Sequence, residues 1–157
     1  MREGRDPDAG FAPREAHYTF VFRVGASLYA LDGTLVDHVG ERGRIVPVPA
    51  APAHFAGVVH DRGRVLAVVD LARIFGGGVP AREGYRRLVA LEIRGRPLSV
   101  LAHEALGLRE VAPGALRPAS GRGAMAAAEF DDPRGVVTLL DPDELLHRLR
   151  LGVSPAS

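Results

Sequence analysis

The chain contains no cysteine. That removes disulfide staples, thiolate nucleophiles and Cys-based zinc or iron–sulfur sites, and it is compatible with a reducing cytosol. No apolar stretch reaches the roughly 18 to 20 residues that a membrane helix needs. The N-terminus has neither the basic start nor the apolar core of a secretion signal. A cytoplasmic protein without direct membrane insertion is therefore expected. An excess of one charge is lacking too: 20 basic side chains stand against 19 acidic ones, a formal net charge of +1. Such a balance gives little long-range pull on a polyanion, so nucleic acid is not an expected partner.

What is present suits a folded globular chain. The 157 residues are 46% hydrophobic and 25% charged, close to the average for soluble domains and enough for one domain or two small subdomains sharing a core. The ends differ: residues 1–16 are rich in Gly, Pro and charge, and 153–157 are small and polar, so both are expected to be disordered tails.

Between them, short apolar segments follow one another closely. His17 to Val24 alternates with a period of two, as a half-buried strand does, and Leu28 to Leu31 reads as its hairpin return. Asp32-Gly33-Thr34 breaks that strand. Leu35, Val36 and Val39 are expected on one side of a short helical turn. Pro47, Pro49 and Pro52 make Ile45 to Pro52 an edge strand running into a loop. Phe55 to His60 and Arg64 to Leu71 flank Asp61 to Gly63 as a tight hairpin. Gly76-Gly77-Gly78 and the charged stretch after Pro80 form a linker. The second half repeats the style of the first, with a hairpin over Arg87 to Ala102, strands at Leu108 to Val111 and Val136 to Leu140, and a candidate strand at Ala124 to Phe130. In "LDPDELLHRLRL", Asp141 caps a final helix, Pro142 suits its first position, Glu144 completes a capping box and Leu145, Leu146 and Leu149 form its apolar face. The pattern predicts a mainly β protein of two small barrels or sandwiches, divided into subdomains of about 17–75 and 85–152.

Candidate chemistry is sparse. Six histidines are scattered along the chain. His103-Glu104 looks superficially like the start of a zinc-protease helix, but the fourth residue on is Gly107, so no second imidazole shares its face. Ser27 lacks the second glycine of a nucleophile elbow. Gly76-Gly77-Gly78 lacks the lysine and hydroxyl of a phosphate loop. Asp131-Asp132 and Asp141, Asp143 and Glu144 are explained by turns and helix capping. The sequence thus implies no enzyme, no metal and no cofactor. Three Arg-Gly-Arg triplets, at 42–44, 62–64 and 94–96, stand isolated at strand junctions and read as hairpin turns with solvated arginines rather than RNA-binding tracts.

The segment "GVVHDRGRVLAVVDL" resembles the signature of CheW-like domains: Gly57, Val58, Val59, Arg62, Gly63, Val65, Leu66, Val68, Val69, Asp70 and Leu71 fit it. Around it, "FVFRVGASLYALDGTLVDHV", "PVPAAPAHFAGVV", "VLAHEALGLREV" and "VVTLLDPDELL" fall in the family's order, so the resemblance spans about Tyr18 to Leu151. It implies two SH3-like five-stranded β-barrels with a short C-terminal helix. It also implies a non-catalytic adaptor in a chemosensory array, coupling the cytoplasmic tips of methyl-accepting chemoreceptors to a CheA-type histidine kinase. By the same resemblance, Val36, Gly57 and Arg62 are receptor-binding. Gly57 would admit a receptor helix close to the backbone, and Arg62 would meet a receptor carboxylate through its planar fork. His38, Asp61 and Gly63 are carried over as kinase- or partner-binding. The chain departs from the pattern at His38, His60, Asp61, Ala67 and His103, and Asp61 is expected to pair with Arg62. The alternative class is a small β-barrel module for RNA or another ligand that has lost receptor coupling.

Overall fold

The computed structural model describes residues 17–152 apart from 77, 120 and 122; the expected tails lie outside the described residues. The chain runs β1 (His17–Val24), β2 (Ser27–Asp32), β3 (Val36–Glu41), β4 (Phe55–Asp61), β5 (Arg64–Val69), α1 (Ala72–Phe75), β6 (Arg87–Ile93), β7 (Arg96–Ala102), β8 (Glu104–Val111), β9 (Ala126–Asp132), β10 (Gly135–Leu140) and α2 (Pro142–Gly152). The strands form two five-stranded sheets, in the orders β8-β1-β2-β10-β9 and β3-β6-β7-β5-β4. Neighbours are antiparallel except β2 with β10 and β5 with β7.

The expected division near residues 76–84 does not separate the sheets. Each half of the chain supplies the same series: a hairpin, an edge strand, a second hairpin and a helix. The first hairpin of each half, β1-β2 or β6-β7, then joins the last three strands of the other half. Local sequence carries the repeat but not the exchange, because the pairing is non-local.

The two halves match in detail. Ala56 is the extra residue of a bulge in β4, and Ala127 of one in β9. Asp70 N–H donates to the His54 carbonyl after β5, and Asp141 N–H to the Met125 carbonyl after β10, both at 2.8 Å. After β3 the chain returns to β4 through a single bridge, Val46 to Val58; after β8 it returns to β9 through Arg117 to Glu129. Each sheet is thus rolled until its edges meet, with one backbone bridge across the seam instead of a full ladder.

This arrangement explains why β1 is buried on both faces. Val21 faces a core inside its own sheet, with Ala30, Phe130 and Val137. Phe22, Val24, Tyr29 and Leu31 instead join Leu66, Leu88, Leu101 and Leu145 in the layer shared with the second sheet. The alternation of one apolar face with one polar face therefore understates β1, whose Thr19 and Val21 are fully buried.

Three local expectations are corrected. Val36 and Val39 lie in β3, paired with Leu91 and Val89, and the turn is limited to Gly33–Leu35. The proline-rich stretch forms one bridge rather than an edge strand. At α2, the Asp141 carboxylate accepts from the Asp143 and Glu144 amides at 2.9 and 3.2 Å, as expected of a cap. The return half of the capping box is replaced, because the Asp141 amide donates to Met125 and the Glu144 carboxylate accepts from Arg148 at 3.3 Å.

Candidate functional site

The β4-β5 hairpin turns through two residues in the left-handed region, Arg62 at φ 52° and Gly63 at φ 79°. Such a turn matches the right-handed twist of the strands it joins. Glycine accepts the conformation freely; an arginine there carries a steric cost of about 1 kcal/mol. Arg94 and Gly95 form the same turn between β6 and β7, at φ 52° and 75°. There the arginine is anchored, donating to both carboxylate oxygens of Asp143 at 2.7 and 3.1 Å. That bond holds the Asp143 carboxyl below its ordinary range. Arg62 is exposed and forms no ion pair among the described residues. It is a cation held out on a fixed turn.

Asp61 does not pair with Arg62. Its carboxylate oxygen Oδ2 lies 2.7 Å from His38 Nε2, while His38 Nδ1 lies 3.0 Å from Asp37 Oδ2. Arg64 donates to the same Asp37 oxygen at 3.3 Å. His38 and Asp37 are on β3 and Asp61 is on β4, the two opposite edges of the second sheet. Their contact closes the seam with side chains. The His38 and Asp61 side chains are only 10% and 19% exposed. The His38–Asp61 contact is out of line for a hydrogen bond, and neither atom has another hydrogen-bond partner.

Val36, half-buried at the start of β3, pairs with Leu91 and packs against the core that the two sheets share, while His38 pairs with Ala90. Asp37 is the extra residue of a bulge between Val36 and His38, which bends this edge. Gly63 is exposed, with open space where a Cβ would sit.

Gly57 is placed differently from expectation. It is buried in β4 at φ 142°, and a Cβ there would lie 2.3 Å from the Val46 carbonyl oxygen. The glycine is required by the chain's own returning segment at Ile45–Val46, so the close backbone approach expected of a receptor helix is already occupied from within. Gly57 holds the bridge that shapes this end of the sheet.

A second polar centre was not singled out in the sequence. Asp70, fully buried at the end of β5, accepts hydrogen bonds from Arg73, from Arg82 Nε at 3.0 Å and from the Tyr85 hydroxyl at 2.9 Å. Burial, reinforced by the Asp70 charge, pushes the Tyr85 phenol well above its ordinary value. Arg82 also donates to the Ala53 carbonyl. The Tyr85 ring packs on His103, with centroids 4.4 Å apart. His103 Nδ1 accepts the Gly25 amide at 2.8 Å, and burial, with the nearby Arg23, lowers the imidazole's pKa. Arg23 in turn donates to Glu104 at 3.1 Å, and Arg134 donates to the same oxygen at 3.2 Å. Together they hold the Glu104 carboxyl below its ordinary range. This chain of contacts ties the end of β5 to β1 and β8 of the other sheet. The signal was legible: a lone carboxylate after an apolar strand, "VVDL", must find partners if it is buried.

Among the described residues no group of three or more His, Asp or Glu side chains is arranged to hold a metal ion. Nor is any described helix long and apolar enough to cross a membrane.

Comparison with known proteins agrees with the fold. Residues 19–150 match the CheW-like domain family. A curated relative, Protein FrzA of Myxococcus xanthus, is 34% identical over 108 residues, 67% of each chain. A solved structure, the scaffolding protein TtCheW from Thermoanaerobacter tengcongensis, superposes with a TM-score of 0.71 at 20% identity, over 80% of this chain and 89% of that one.

Proposed function

From the premise that this chain belongs to the CheW-like family, we propose that it is a non-catalytic adaptor coupling the cytoplasmic tip of a chemoreceptor to a CheA-type histidine kinase. The observation that carries the reading is Arg62, an exposed guanidinium with no ion pair among the described residues, fixed on a two-residue turn directly after Asp61, which meets His38 across the seam. A planar fork of five donors suits a carboxylate on a receptor helix, and the half-buried Val36 of β3 would supply apolar contact. Gly57 acts indirectly, by holding the Val46 bridge, and His38 and Asp61 by closing the seam. Gly63 leaves the tip of the turn open to the partner. Kinase contact would leave the receptor face free, so that one chain holds both partners and is recruited to membrane receptor arrays from the cytoplasm.

The reading is tested by retention of a receptor-tip fragment and a CheA-type kinase from the same genome on the immobilised chain. Arg62→Glu and Val36→Asp should each abolish receptor retention while kinase retention persists. Loss of neither partner in the variants, or retention of neither by the unaltered chain, contradicts it.

A further inference from the structure

The two sheets carry the same positions on the outer face of their last hairpin and fill them differently. In the first sheet Glu129 pairs with Thr138 and Asp131 with Val136 across β9 and β10, and Arg117 bridges to Glu129 from the returning segment. In the second sheet Val58 pairs with Ala67 and His60 with Val65 across β4 and β5, and Val46 bridges to Val58. The register fixes the match: Asp132 pairs with Gly135 and Asp61 with Arg64 at the ends of the two hairpins. Alternation puts Val59 and Leu66, both buried, on the inner face of β4 and β5 and leaves Val58, His60, Val65 and Ala67 on the outer one. In the first sheet, charge closes this face. Arg117 donates to both carboxylate oxygens of Asp131 at 3.2 and 3.1 Å and lies 3.7 Å from Glu129. In the second sheet the positions of Arg117 and Glu129 are taken by Val46 and Val58, and Val46 and Val65 are 48% and 54% exposed. Directly opposed side chains in such a ladder stand about 5 Å apart, so these residues form one apolar strip rather than scattered positions. The fold does not require it, since the other half closes the same face with ion pairs.

We propose that the strip of Val46, Val58, Ala67, His60 and Val65 is a docking surface for the receptor segment whose carboxylate meets Arg62. The proposal rests on the reading of Arg62 given above and extends it to the strands that carry the turn. Arg62 follows β4 two residues after His60, so the strip runs directly into the exposed guanidinium. None of the five positions carries a carboxylate, and the charge at the end of the strip is basic. The surface therefore suits an occupant that is apolar along its length and acidic at one end. Val46, Val58 and Ala67 lie on three adjacent lines of backbone, about 10 Å across. That is the length of two helical turns, so apolar side chains at every third or fourth position of an amphipathic helix would cover it.

NMR of the full chain, titrated in separate samples with a receptor-tip fragment and with a CheA-type kinase, tests this. The receptor fragment should shift the amides of Val46, Val58, His60, Val65 and Ala67 together with those of Arg62 and Gly63, and the kinase should leave them in place. Val65→Asp should weaken receptor binding about tenfold or more, the value of burying one valine. Val136 is 50% exposed at the matching position of the other sheet, so Val136→Asp should leave receptor binding unchanged. An unaltered amide spectrum outside the strip shows that the Val65→Asp chain is folded. Strip amides that stay silent while the receptor fragment binds, or a Val65→Asp chain that binds as the unaltered chain does while Arg62→Glu does not, overturn the strip and leave the adaptor reading standing. Strip amides that shift with the kinase instead overturn the assignment to the receptor. An unaltered chain that does not bind the receptor fragment contradicts both proposals.

Discussion

Replacing Asp70 with asparagine tests whether the buried carboxylate joins the two sheets. The side chain is fully buried, while its partners Arg73 and Arg82 are 26% and 33% exposed. Breaking a buried charge pair costs about 3–5 kcal/mol when the remaining charge is stranded. Here both guanidiniums reach water in part, and the asparagine oxygen still accepts the Tyr85 hydroxyl, so the cost falls near the lower end, at about 3 kcal/mol. That is a drop in melting temperature of about 6–12 °C for a chain of this size. Urea unfolding at pH 7, followed by circular dichroism, should give a lower midpoint with an unchanged slope. A loss below about 1 kcal/mol would refute the argument, because it would mean that the three donors find equal partners elsewhere. The phenol gives an independent arm. Tyr85 in the folded chain holds its proton beyond the ordinary value of 10.0, so above about pH 10 the unfolded chain releases a proton that the folded chain retains. Stability should then fall with rising pH, by up to about 1.4 kcal/mol per unit. Tyr85→Phe should flatten that alkaline limb.

Further outcomes follow from the same geometry. Gly57→Ala places a methyl group against the Val46 carbonyl at a backbone angle that alanine resists, and should destabilise by about 2–4 kcal/mol in chemical denaturation. Arg62→Gly relieves a left-handed arginine and should raise stability by about 0.5–1 kcal/mol while weakening receptor capture, a separation visible by comparing melting with binding. His103 has a lowered pKa in the folded chain, so the unfolded chain binds its proton first as pH falls below about 6.5. Its contribution is present above that value and lost on acidification, and a His103→Gln chain should lose stability less steeply between pH 6.5 and 4.5.

Much of the fold was legible because its elements are locally encoded. Period-two alternation marks β1, and the paired apolar runs about Arg62-Gly63 and Arg94-Gly95 mark two hairpins. Asp141 and Pro142 mark the start of α2. The exchange of hairpins between halves was not legible, since it depends on which long-range pairings bury Phe22, Tyr29 and Leu31 against Leu66 and Leu101. The turn around Leu35 was read too long, because Val36 and Val39 fit a helical face as well as a strand until β6 is there to pair with them. In the site, Arg62 stands at the turn its neighbours suggested. The partner of Asp61 was misread, since adjacency in sequence favours Arg62 while the rolled sheet brings His38 across the seam. Gly57 was recognised as requiring close approach, but the approaching backbone is the chain's own.

Whether one chain bridges two partners is measured directly by co-sedimentation. Membranes carrying the cognate chemoreceptor are pelleted with the CheA-type kinase, with and without the chain, at about pH 6.5. Kinase should enter the pellet in proportion to added chain, and Arg62→Glu should leave both chain and kinase in the supernatant. Kinase that sediments equally without the chain, or chain that sediments without drawing kinase with it, would contradict the adaptor assignment.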